Sequence, residues 1–70
     1  PNEKIVEKVR KQYPAGCRVE LTCMDDVQAP PLGTKGTVYG VDDTASIMVH
    51  WDNGSGLNVV YGVDSCQRID

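Results

Sequence analysis

The spacing of apolar residues changes once along this chain, at Pro14–Gly16, and that change limits what it can fold into. Before it, in NEKIVEKVRKQY (residues 2–13), Ile5, Val6, Val9 and Tyr13 make one helical stripe. Lys4, Glu7, Lys8 and Lys11 lie mostly away from it. Asn2 suits an N-cap, and Pro14 with Gly16 ends the helix. After Gly16 the period drops to two. Cys17, Val19, Leu21 and Cys23 alternate with Arg18, Glu20 and Thr22, the pattern of a half-buried strand.

Turn chemistry divides the remainder. Residues 24–34, MDDVQAPPLGT, read as a long loop that Pro30-Pro31 keeps out of helix and central strand. Strands are predicted at 35–42, 46–51 and 57–61, with a short fifth at 66–69. Tight turns fall at Asp42–Ala45, Asp52–Gly56 and Gly62–Ser65. Ile47, Val49 and Trp51 share one face of their strand, and Leu57, Val59 and Tyr61 share one face of the next. An odd-numbered loop, three or five residues with a left-handed glycine, aligns the two sets. The expected fold is mainly β: a small SH3-like five-stranded barrel over residues 17–69, with one N-terminal amphipathic α-helix over 2–13. Its core is Val19, Val38, Val49, Trp51 and Val59. With 70 residues the chain is read as one domain with a small core.

The outer face of the meander then carries Tyr39, Val41, Met48, His50 and Val60, which is apolar for a face left to water. The helix stripe is the matching surface, so the helix is expected to lie across part of it. A partner or a second copy is the other way to cover it.

Charge is uneven. Residues 1–13 carry a net +2 and residues 14–70 a net −5, for −3 in all. An acidic chain is not a generic nucleic-acid clamp, although Lys4, Lys8, Arg10 and Lys11 could meet a few phosphates. No apolar run approaches the ~20 residues of a membrane span, so no membrane partner is expected. No signal peptide is visible, and the expected localisation is cytoplasmic, where thiols stay reduced.

Chemistry-bearing residues are sparse. His50 is the one histidine, and no Ser or Cys stands in a motif that supplies a base. Asp25-Asp26 and Asp42-Asp43 are adjacent carboxylates, which point apart in strands and turns and cap backbone amides there. Gly33-x-x-Gly36 lacks the Lys-Ser/Thr of a phosphate loop. Cys17, Cys23 and Cys66 with His50 would make a Cys3His zinc set. However, five residues separate Cys17 from Cys23, where structural sites use about two to four. No enzyme, metal or cofactor is expected, and the thiols read as packing groups. The candidate binding residues are Asp25 and Asp26 on the long loop, which suit a basic peptide, and Tyr39, Met48 and His50 on the outer face.

Three resemblances bear on this reading. The run SIMVHWDNGSGLNVVYG (46–62), with Trp51-Asp52-Asn53-Gly54 and Asn58-x-x-Tyr61-Gly62, resembles the SH3-like domain of Mind bomb type ubiquitin ligases. It lacks that family's tryptophan-rich first loop and the Arg after the Tyr, so the fold carries over and ligase-linked binding does not. Over residues 13–69 the chain is similar to a family of small bacterial and phage proteins of unknown function. The shared blocks are Tyr13-Pro14-x-Gly16, Met24-Asp25-Asp26, Pro30-Pro31-x-Gly33-Thr34-x-Gly36-Thr37-Val38 and Trp51-Asp52-Asn53-Gly54, and Gly56-Leu57-Asn58-Val59 stands where that family has Ser-Leu-Asn-Val. That resemblance implies an SH3-like fold and a place in phages or mobile elements, with no known activity. Gly16-x-x-Val19 and Gly33-x-x-Gly36-x-Val38 echo the KOW motif, which implies RNA contact, although the loop here is acidic. The expected function is a non-catalytic protein-interaction module that binds a protein or peptide. The alternative is a KOW-like nucleic-acid-binding small barrel.

Overall fold

The period change at Gly16 is realised as a helix followed by antiparallel strands. In a computed structural model that describes residues 1–70, helix α1 spans Glu3–Gln12. The Asn2 Oδ1 accepts from the Ile5 N–H at 3.0 Å, capping the first turn. The strands are β1 (Arg18–Cys23), β2 (Lys35–Val41), β3 (Ile47–Trp51) and β4 (Ser65–Arg68). They form one four-stranded sheet in the order β3-β2-β1-β4, and every neighbouring pair is antiparallel. No helix is long and apolar enough to cross a membrane.

One face of the sheet carries the core. Val19, Leu21, Val38, Val49, Trp51 and Val59 are all buried there. The α1 stripe completes it: Val6 and Val9 are buried in the same cluster, and Ile5 and Tyr13 pack against it. A ten-residue helix is marginal alone, and this packing is what holds it. The helix therefore does not lie across the outer face as expected. Its whole apolar stripe is used on the inner one, and Tyr39 and His50 on the outer side stay exposed.

Two further expectations are corrected. Segment 57–61 is not a strand; it meets the sheet through one antiparallel bridge, Val59 to Ile47, with both N–H···O distances 2.9 Å. Its neighbours use their backbone groups elsewhere. The Leu57 carbonyl accepts from the Trp51 indole N–H at 2.7 Å. The Val60 N–H donates to Asp64 Oδ2, and the Val60 carbonyl accepts from the Val63 and Asp64 N–H groups. Only Val59 is left to join a ladder, so the sheet is four-stranded and open where a fifth strand was expected. Val41, expected outside, is buried. A β-bulge shifts the register between Val38 and Gly40, which leaves Tyr39 as the extra residue and turns Val41 inward with Val38.

The expected odd turn is present. Trp51 and Ser55 flank a three-residue loop, the Gly54 N–H donates to the Trp51 carbonyl, and Gly54 sits at φ 90°. The turn before β3 is built by one carboxylate. Asp42 Oδ1 accepts from the Thr44 hydroxyl at 2.7 Å and from the Thr44 and Ser46 N–H groups at 2.9 and 3.0 Å. These bonds, the hydroxyl's first, hold the Asp42 carboxyl below its usual range.

The close approach of β2 to β3 depends on Gly36. A Cβ there would lie 2.6 Å from Val49 Cγ1, 2.9 Å from the His50 carbonyl oxygen and 2.9 Å from Trp51 Cε3. At Gly40 the sole obstruction is the mobile end of Met48, at 2.7 Å. Gly36→Ala is expected to lower stability by about 1–3 kcal/mol, and Gly40→Ala by less than about 1 kcal/mol. Thermal unfolding of both variants checks this, and equal losses would contradict the packing described.

Candidate functional site

The sequence-predicted residues divide between two places. Asp25 and Asp26 are exposed on the loop after β1, beside a surface groove of about 370 Å3. Tyr39, Met48 and His50 sit together on the outer face of β2 and β3, and none of them lines that groove. There the Tyr39 and His50 rings stack, with centroids 4.1 Å apart and planes 20° from parallel. Half-buried Met48 pairs with Gly40 beside them.

The groove is the richer of the two. One wall is Met24, Asp25 and Asp26; the other is Leu57, Asn58, Val60, Val63 and Asp64. The ladder between β1 and β4 is irregular at Cys23, opposite Ser65, and the Thr22 and Ser65 hydroxyls meet at 2.8 Å. That register sets the loop leaving β1 against the turn entering β4. Asp26 Oδ1 accepts from the Gln28 N–H at 2.7 Å, which holds the loop. Asp64 holds the other wall through its bond to the Val60 N–H at 2.9 Å. This turn leaves Val60 43% and Val63 71% exposed. Asn58 Oδ1 is buried with no hydrogen-bond partner, an uncommon state for a polar atom.

Sequence reasoning found Asp25 and Asp26 and missed the opposite wall. Leu57 and Val59 were read as one strand face, which conceals that Leu57 turns aside to the Trp51 indole. The available signal was Val60 and Val63 beside Gly62, apolar residues flanking a turn.

The charges around the groove are sorted. Every arginine has an aspartate partner: Arg10–Asp43 at 3.1 Å, Arg18–Asp52 at 2.6 Å and Arg68–Asp70 at 2.7 Å. Arg18 grips both Asp52 oxygens and also donates to the Thr37 hydroxyl. That grip holds the Asp52 carboxyl below its usual range. Asp25, Asp26 and Asp64 have no such cation.

The thiols occupy a different part of the molecule. Cys17 is buried, Cys66 is half-buried on β4 opposite Leu21, and Cys23 is exposed. The Tyr13 hydroxyl donates to the Cys66 carbonyl at 3.3 Å. Burial first, and then the neighbouring Cys17, push the Cys66 thiol up to about 11. Burial also raises Cys17. Such thiols are poor nucleophiles. Cys17 and Cys66 face the core while His50 is exposed on the other side of the sheet, so the Cys3His set does not converge. No three His, Cys, Asp or Glu side chains gather closely enough to hold a metal ion.

A family model described as a domain of unknown function (DUF4314) matches residues 2–69. No curated protein and no solved structure matches the chain.

Iodoacetamide at a pH of about 7.5 is expected to label Cys23 in the native chain and spare Cys17 and Cys66, as mass spectrometry of the digest would show. The raised Cys66 value carries a sign for stability. A thiol held protonated in the fold contributes fully below its ordinary 9.0, and that contribution is lost as pH climbs from 9.0 toward about 11. Cys66→Ala should flatten this alkaline loss; an unchanged alkaline slope would contradict the assignment.

Proposed function

The chain belongs to that family of uncharacterised domains, and we propose that it acts as a non-catalytic, SH3-like protein-interaction module. The observation that carries this reading is the groove between residues 24–26 and 57–64, an exposed apolar surface rimmed by carboxylates without cations. Exposed apolar area bordered by polar groups is the usual mark of a binding surface. The SH3-like description draws on the strand pairing. β1 and β2 pair across the long loop, β2 and β3 are joined by a tight turn, Val59 extends the β3 edge, and β4 returns to β1. The non-catalytic part draws on the site chemistry. His50 stacks on Tyr39, and the inward thiols have raised proton affinity. The resemblance to small bacterial and phage proteins extends the proposal to a phage or mobile-element origin and a cytoplasmic place of work.

The second reading, a KOW-like nucleic-acid-binding small barrel, draws on α1. There Lys4, Lys8 and Lys11 are exposed and have no carboxylate partner. Spaced by four and three residues, they lie along one side of the helix.

Selection of a random peptide library on the immobilised chain should enrich sequences that compete with one another in solution. Enrichment no greater than on a blank surface would overturn the interaction reading. The nucleic-acid reading requires amide shifts at Lys4, Lys8 and Lys11 when RNA or DNA is added at about 50 mM salt. We expect none.

A further inference from the structure

The groove's chemistry narrows its occupant. We infer that it takes an extended protein segment in which aliphatic side chains alternate with Lys or Arg. This inference rests on the interaction-module reading and adds a partner class to it.

Charge complementarity is the first argument. The fold pairs Asp43, Asp52 and Asp70 with its three arginines and uses Asp42 to build a turn. Asp25, Asp26 and Asp64 are left at the groove with no cation. A cationic partner would meet attraction from every side of the rim, and a phosphate backbone would meet repulsion. The three carboxylates do not converge as a metal-holding group, which favours side chains arriving separately over one ion.

The surface between them is the second argument. Met24, Leu57, Val60 and Val63 supply apolar lining. An extended segment directs successive side chains to opposite sides, so aliphatic groups can enter while the residues between them reach the carboxylate rim.

The test uses the full 15N-labelled chain and three capped synthetic peptides: Leu-Lys-Leu-Lys-Leu, Leu-Glu-Leu-Glu-Leu and Ser-Lys-Ser-Lys-Ser. The Leu-Lys peptide should shift amides at 24–26 and 57–64. It should also shift the Trp51 indole signal, because that N–H is bonded to Leu57. The Leu-Glu peptide should shift none of them, and the Ser-Lys peptide should bind roughly fivefold more weakly. Asp25→Asn combined with Asp26→Asn should weaken Leu-Lys binding about tenfold, and added salt should erase part of the difference. Val63→Ser, at an exposed position, should weaken it roughly threefold while the rest of the spectrum is unchanged.

Equal binding of the Leu-Glu peptide would overturn the inference, as would shifts confined to Tyr39, Met48 and His50. In both cases the chain would still be an interaction module. Shifts at 24–26 and 57–64 that grow with protein concentration alone would assign the groove to a second copy and likewise overturn it. If none of the three peptides moves any signal, the inference fails. The library selection then decides the broader reading separately.

Discussion

The indole of Trp51 organises the half of this molecule where recognition is proposed. Its N–H bonds the Leu57 carbonyl, and its ring packs where a Cβ on Gly36 would stand. Its own carbonyl closes the turn through Gly54. One buried side chain thus joins the centre of the sheet to the segment that would otherwise have become a fifth strand. A buried indole N–H needs an acceptor, and taking that acceptor from Leu57 removes it from the ladder. The result is an irregular 57–64 segment in which Val59 stays buried while Leu57, Val60 and Val63 line one wall of the groove.

The sheet's two edges are dressed differently, and both dressings shape the surface. At β3, Val59 supplies a single bridge to Ile47. At β4, the Tyr13 hydroxyl at the end of α1 donates to the Cys66 carbonyl. An open sheet in so small a chain would otherwise present unpaired backbone along two strands. Covering the edges with a bridge and a helix end leaves the space between the β1 loop and the β4 turn unfilled. The arginine–aspartate pairs lie elsewhere, so that space also keeps uncompensated negative charge.

Local chemistry made most of the elements legible. The helix with its Asn2 cap, the Val19–Leu21 face and the odd-numbered turn after Trp51 each follow from spacing or from one residue's backbone preference. The misreadings share a cause. Val41 and segment 57–61 followed period two in sequence and departed from it in space. A bulge at Tyr39 and a side-chain hydrogen bond from Trp51 act across the sheet, and neither leaves a trace in local periodicity. Asp25 and Asp26 were legible as an acidic loop. Their partners Leu57, Val60, Val63 and Asp64 were not, because the wall they form exists only once β4 has returned to β1.

The amino-acid order alone determined that this is a short helix followed by antiparallel strands around a valine-rich core with Trp51 inside it. It determined this because apolar spacing and turn residues act within a few positions of themselves. Tertiary structure decided which side of the sheet the helix covers, how far the last segment joins the ladder, and which carboxylates are left without a cation. Those outcomes depend on side-chain partners, some as distant in sequence as Arg18 and Asp52 and others as near as Trp51 and Leu57, and one buried donor or one extra residue in a strand redirects what packs against it.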